Sequence, residues 1–408
     1  MQVDAKKAFQ LIFFFGLISL FGDIIYEGAR SVNGPYLKEL GANAAAVGII
    51  AGLGEFLGYA IRLISGYFSD RTKAYWLFVF VGYGMLISVP LLSMTGAWQL
   101  AALLIVVERV GKALRGPARD TIISQAAKQI GTGLGFGIAE AMDQIGAMAG
   151  PLIFSGLFFF TGAATKGVRD YQNGYNLLWA PFILLLICVS MAYLRFPNPR
   201  QFEPRDIKEE KSSKLSKLFW LYSAFTFVTT LGFVNFFILG YHFKAKGVFV
   251  DAMIPFMYAV AMAVDGIAAL VIGKLYDTRG LVVLIIIPVL SIAGALFAFS
   301  GQTSAAVLSM IIWGIVMGAH ETVMRSAVAD LTPSSKRGTG YGIFNAAYGI
   351  AVFIGSAVMG IFYERSLLLL ISGIVAVEIA AVILFFIMRK EAQRSVLMTQ
   401  APLKASNL

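Results

Sequence analysis

The sequence predicts an all-α polytopic membrane protein, with twelve transmembrane helices in two six-helix pseudo-symmetric bundles. Three observations carry that expectation. Hydrophobic residues make up 58% of the 408 positions and charged residues only 14%, too few to clothe a soluble surface. Apolar runs of roughly 20 residues, the length that crosses a bilayer, recur along the whole chain. A Pro-, Lys- and Glu-rich stretch at 196–217 interrupts them in the middle and reads as a solvated linker.

In order, the first six spans fall at 9–32, 44–68, 75–94, 98–130, 133–160 and 175–194. After the linker come 218–243, 252–272, 281–299, 304–328, 338–363 and 366–388. The implied domains are an N-terminal bundle at 1–195, a C-terminal bundle at 218–390 and a cytoplasmic tail at 391–408. The halves resemble each other. Gly66-Tyr-Phe-Ser-Asp70-Arg71 closes the second span, and Gly273-Lys-Leu-Tyr-Asp277-Thr-Arg279 closes the eighth, a displacement of 207 residues. Gly133, Gly135, Gly137 and Gly150 match Gly338, Gly340, Gly342 and Gly355 at a displacement of 205. Parallel repeats of this kind put a substrate site near the bilayer midplane, between the halves.

Orientation follows from Lys and Arg. Lys6, Lys7, Arg71, Lys73, Lys128, the linker, Arg279, Lys336, Arg337, Arg389 and Lys390 fall on one side. Lys38, Lys166, Arg169, Lys244, Lys246 and Arg365 fall on the other. Both termini are therefore expected in the cytoplasm of a plasma (inner) membrane. The first apolar run lacks a small-residue cleavage site and reads as a retained helix. The net charge of +10 is spread over short loops and tails, which points to anionic lipid and not to nucleic acid. One cysteine, Cys188, excludes an internal disulfide, and two distant histidines make no metal signature, so neither cofactor nor metal is expected.

The fourth span is unusual. It reads as a membrane helix, yet its centre carries Glu108, Arg109, Lys112, Arg115, Arg119 and Asp120. Charge at hydrocarbon depth costs about 2.5–3.5 kcal/mol per residue on insertion scales. Glu108, Lys112, Arg115 and Arg119 step by four, three and four residues and share a helical face, which other helices must enclose. Asp23, Glu27 and Arg30 on the first span repeat the spacing, and Asp23 and Glu27 are expected to answer Arg109 and Lys112. Glu140 and Asp143 on the fifth span face Arg115 or Arg119, and Glu55 and Arg62 on the second complete the set. The second half offers Asn235, Tyr241 and His242, then Asp265, then His320, Glu321 and Arg325. Such groups either bind substrate and protons, since proton and cation compete for one carboxylate, or form a fixed salt-bridge network. Depth favours binding for Asp23, Glu27 and Arg109. Proximity to the inner surface favours gating for Arg115, Arg119 and Asp120.

The chain resembles the major facilitator superfamily over its full length. The segment Gly66 to Lys73 resembles the family's Gly-x-Leu-x-Asp-Arg-x-Gly-Arg-Lys signature, with Phe68 at the Leu position and Lys73 where Gly is usual. The second copy keeps Gly273, Asp277, Arg279 and Gly280. The resemblance implies a gating latch on the cytoplasmic side that includes Gly66, Asp70, Arg71, Asp277 and Arg279. Gly146-Ala-Met-Ala-Gly150-Pro151 resembles the Gly-x-x-x-Gly-Pro element of the drug:proton antiporter branch, where such glycines permit close helix approach and Pro151 a bend. Arg109 is a looser match to an Arg-x-x-x-Gly element, because Ala113 stands where Gly is usual.

Neither a phosphate-binding Gly-x-x-x-x-Gly-Lys-Ser/Thr loop nor a soluble domain large enough to hydrolyse ATP occurs, so an energised transporter of this sequence would be secondary. Proton-coupled export of a small organic solute, by a monomer in the lipid bilayer, is the first reading. Import of an anionic or zwitterionic solute is the second, given the cations of the fourth span. An enzyme needs a nucleophile beside a base or a metal cluster, and a sensor an output domain; the sequence offers neither.

Overall fold

The computed structural model describes residues 5–130, 132–162, 164–198, 215–332 and 337–405. Most of the expected linker and Lys336 lie outside the described residues, as do the side chains of Lys128, Gly133, Arg325, Arg337, Gly338 and those beyond Arg394. The described residues form fourteen α-helices and no strand. In the first half these are α1 (Ala5–Glu39), α2 (Ala44–Thr72), α3 (Tyr75–Gly84), α4 (Trp98–Ile130), α5 (Thr132–Phe160), α6 (Val168–Leu177) and α7 (Trp179–Arg195). In the second half they are α8 (Lys217–Gly232), α9 (Phe236–Lys246), α10 (Met253–Arg279), α11 (Ile286–Ala298), α12 (Thr303–Leu331), α13 (Arg337–Arg365) and α14 (Leu367–Ala405).

Ten segments are long and apolar enough to cross a membrane. One of them, Met253–Ala298, is 46 residues long and comprises α10 and α11, which separate at Gly280, where φ is +60°. α4 is not among the ten, because its centre is charged. Helix α3 continues in 3-10 turns to Met94 around Pro90.

Two breaks were not expected from the apolar runs. The sixth expected span is two helices that meet at Leu178. The seventh is interrupted at 233–235: α8 ends at Gly232, and Asn235 then caps α9 with its side-chain oxygen on the Phe237 amide, 2.9 Å away. An Asn outside helical φ/ψ that satisfies a free amide is a standard helix start, so the residue restarts the helix it interrupts. At the other end, α14 continues as helix to Ala405, through the stretch expected as tail.

Glycines set the closest helix crossings. In the first half a Cβ on Gly146 would lie 2.5 Å from the Leu20 carbonyl oxygen, and one on Gly150 would overlap Ile24 O, so α5 rides on the main chain of α1. In the second half Gly355 rides on Leu231 of α8 in the same way. Leu231 lies 207 residues after Ile24, and Gly355 lies 205 after Gly150, so the repeat seen in the sequence is also a repeat of packing. Between the halves, α2 packs on α13 and α1 on α9.

Candidate functional site

The charged side chains of α4 meet those of α1 and α2 around one tyrosine. Tyr26, buried on α1, accepts the Arg109 guanidinium on its hydroxyl. The centre of its ring lies 4.6 Å from Arg109 Cζ, 3.6 Å from Lys112 Nζ and 5.9 Å from Arg30 Cζ. Cations over a desolvated ring gain roughly 0.5–2 kcal/mol each. Arg109 also lies 2.9 Å from Glu55 Oε1 and 3.4 Å from its neighbour Glu108. Arg30 reaches both Glu27 and Glu55 at 3.6 Å. The pairing therefore differs from the expected one at Arg109. Arg109 is held by Glu55 of α2, because α2 packs directly along α4, while Glu27 pairs with Arg30 and accepts the Tyr258 hydroxyl of α10 at 2.5 Å; Lys112 feels the charges of Asp23 and Glu27, as expected. Tyr26 and Tyr258 were missed in the sequence. Their only signal is position, Tyr26 standing inside the charged run from Asp23 to Arg30.

Beside this hub lies a cavity of about 730 Å³ between the halves. From the first half it is lined by Asp23, Glu27, Arg30, Arg62, Lys112, Arg115, Arg119, Asp120, Glu140, Asp143 and Gln144. From the second half it is lined by Met262, Asp265, Met317 and Glu321. A smaller extension of about 110 Å³ continues between Tyr26, Glu55, Arg109, Phe233, Asn235, Trp313 and Tyr348. Arg119 pairs with Asp143 at 2.9 Å, the expected link between α4 and α5. Arg115 instead lies over the Tyr83 ring at 4.7 Å, against α3. Among the described residues, Asp23, Asp265 and Glu321 form no ion pair within 4 Å.

Two sequence candidates stand apart from the cavity. Glu108 is buried beside Arg109 and does not line it. His320 packs between Phe233 and Tyr348, with Nδ1 3.2 Å from the Tyr348 hydroxyl. His242 sits at the opposite end of the second half, 3.0 Å from Tyr363 Oη, where Tyr241 also packs.

The candidates for gating divide by face. The cavity lining runs from Arg30 to Ser19 along α1 and from Lys112 to Ile123 along α4, toward the face at which α1 begins and α14 ends, the terminal face. There Asp70, Arg71, Asp277 and Arg279 are exposed, and Arg71 donates only to Tyr67, one turn before it, among the described residues. Gly66 rests near Pro117 of α4. Gly146 and Gly150 pack on α1 inside the first half, and Pro151 beside them is buried. Lys73 closes α2 in the left-handed region, at φ 57°, with its amide on Ser69 O; this is the position where the resembled signature carries glycine.

The far face is closed by a buried polar lock that the sequence did not suggest. Asp251, 3% exposed, accepts the Lys166 amide and the Lys244 ammonium, and its own amide donates to Ala164 O at 3.1 Å. Lys244 also donates to Lys166 O at 2.8 Å and lies 3.4 Å from Glu39. The Ala44 amide, at the start of α2, donates to Glu364 of α13 at 2.6 Å. These partners sit in loops and helix ends up to 320 residues apart, where helical periodicity carries no information.

Comparison with known proteins gives a consistent result. The family model described as Major Facilitator Superfamily matches residues 12–356 and 252–406. An uncharacterized protein of Mycobacterium tuberculosis is 39% identical over 391 residues, 94% of each chain. An uncharacterized MFS-type transporter of Methanocaldococcus jannaschii is 23% identical over 386 residues, 92% of this chain and 94% of that one. Among solved structures, a mutant of the nucleoside transporter NupG superposes with a TM-score of 0.71 at 13% identity, covering 93% of this chain and 99% of that one. A bacterial homolog of the human lysosomal transporter Spinster, inward-facing and occupied, superposes with a TM-score of 0.70 at 16% identity, covering 93% and 96%.

Proposed function

This chain belongs to the Major Facilitator Superfamily, and from that premise we propose that it exports a small polar organic solute in exchange for protons, by alternating access of its two halves. It is a multi-pass membrane transporter and not an enzyme. In our reading it crosses the membrane twelve times, α6 with α7 and α8 with α9 each making one crossing, as two six-helix bundles at 1–195 and 218–390 with both termini cytoplasmic. The terminal face is then the inner side, and the cavity opens inward.

One observation supports this reading above the rest. A cavity closed at one face carries acids from both halves, Asp23, Asp265 and Glu321, that no described cation neutralises within 4 Å. Carboxyls in that setting hold a proton or a substrate's cation, and the two compete. Arg30, Arg62 and Lys112 line the same space, so the solute we propose carries both signs of charge or strong dipoles. Those cations also favour a second reading, import of an anionic or zwitterionic solute.

Proteoliposomes with a trapped pH indicator test the proposal. Zwitterionic solutes added under a pH gradient are expected to move protons, and Asp23→Asn is expected to abolish that movement while solute binding persists. Solute flux with no proton movement removes coupling; flux along the proton gradient instead of against it selects import.

A further inference from the structure

Glu378 on α14 is fully buried, deep in the second half and away from the cavity. Its Oε2 accepts the Thr229 hydroxyl at 2.8 Å, Ser291 of α11 stands next to the carboxyl, and Oε1 has no hydrogen-bond partner among the described residues. The carboxyl rests on Gly232, the last residue of α8 before its break; a Cβ there would meet Oε1 at 2.7 Å. Among the described residues, no charged or titratable group faces it. α11 carries none. On α8, Tyr222 is bonded to Met324 O and Lys217 to Glu391. On α13, Tyr348 and Tyr363 turn to His320 and His242, and Glu364 to Ala44.

A bare carboxylate there would cost several kcal/mol, so in this conformation the group holds a proton. Ser291, beside the carboxyl, also lines a small, mostly apolar void of about 20 Å³ together with Phe233 and Trp313. Phe233 and Trp313 also line the inner extension of the cavity, and their rings stack 5.7 Å apart between the two spaces. Phe233 is the first residue of the break between α8 and α9.

We infer that Glu378 is a second proton-binding site, reached from the cavity past the Phe233–Trp313 pair and coupled to the helix break it rests on. The inference builds on the proton-coupled reading above and adds a carrier remote from the solute. Movement at the break shifts Gly232 against the carboxyl and Phe233 against Trp313 together, so access to the site and the conformation of the second half change as one event.

Infrared difference spectroscopy on the full chain in lipid vesicles, between acid and alkaline buffer, reads this directly. A carbonyl band of a protonated carboxyl is expected at acid pH, lost reversibly at alkaline pH, absent in Glu378→Gln and shifted in Glu378→Asp. The amide bands of both variants check that they fold. A Glu378-dependent band that survives to about pH 10 would mark a permanently protonated structural pin and overturn the proposal. Absence of a Glu378-dependent band at every pH would overturn it as well. Loss of the band on adding sodium chloride but not choline chloride, at fixed pH, would make the site a sodium site instead. The spectrum needs no transported solute. Coupling can therefore fail in proteoliposomes while Glu378 still titrates, and Glu378 can fail to titrate while coupling stands.

Discussion

In the first half, the half-buried Glu55 has Arg109 at 2.9 Å and Arg30 at 3.6 Å, and the three cations on Tyr26 extend that cluster across α1, α2 and α4. In the second half, buried Asp265 and Glu378 have no ion-pair partner within 4 Å among the described residues. One duplicated architecture thus handles buried charge in two ways. The ion cluster fixes three helices together, since breaking a buried pair strands a charge. The lone carboxyls cost least when neutral, which leaves them free to change protonation as their surroundings change. The ion cluster thus fixes shape in the first half, while carboxyls without an ion-pair partner, Asp23 among them, occur in both halves.

The largest expected effect separates the two kinds of acid. Glu55→Gln takes the nearest carboxylate from Arg109 and one of two from Arg30 and is expected to cost about 3 kcal/mol, seen as a lower unfolding temperature in detergent, while Glu378→Gln changes that temperature little. Equal losses would break the comparison. A middle-sized effect checks where the halves agree. Gly150→Leu and Gly355→Leu each push a side chain into a facing main chain and are expected to cost about 1–3 kcal/mol apiece; a large loss from one alone would mean that the packing repeat is not energetic. Opening the far-face lock is a shift between states. Under the proposed alternating access, Asp251→Asn is expected to favour the form open at the far face by roughly 1–3 kcal/mol, raising thiol labelling of cysteines placed in the cavity from that side. The smallest effect compares Lys73 with its counterpart Gly280, displaced by 207 residues, both at positive φ. Lys73→Gly is expected to stabilise by up to about 1 kcal/mol and Gly280→Ala to destabilise by a similar amount.

The amino-acid sequence carried the helical order, the duplication and the positions of the intramembrane charges, because each rests on apolar length or spacing along one helix. It did not carry the pairing. That Arg109 meets Glu55 and not Asp23 depends on how α2 is rotated against α4, which no single-helix period encodes. The break at 233–235 was hidden because Phe233 and Val234 are as apolar as the helices they separate; Gly232 and Asn235 were the legible hints. The lock at Asp251 was hidden because it joins loops and helix ends, and three of its five links use main-chain groups. Membrane family membership was legible in the segment from Gly66 to Lys73; the solute was not, since the cavity is lined jointly by helices from both halves.

The crossing of α2 and α13 has a consequence for the speed of the cycle. A Cβ on Gly52 would lie 2.8 Å from Phe353 O, one on Gly360 2.5 Å from Ala44 O, and one on Gly48 would overlap Ser356 O. At these three points main chain bears directly on main chain, while Phe56 against Phe353 and Tyr59 against Tyr348 mesh as side-chain teeth along the same crossing. Such a joint keeps its axis and resists slip. Under the proposed rocking of the halves, turnover should then respond to trimming of Phe56 or Tyr59 as well as to salt, which screens the ions at Asp251.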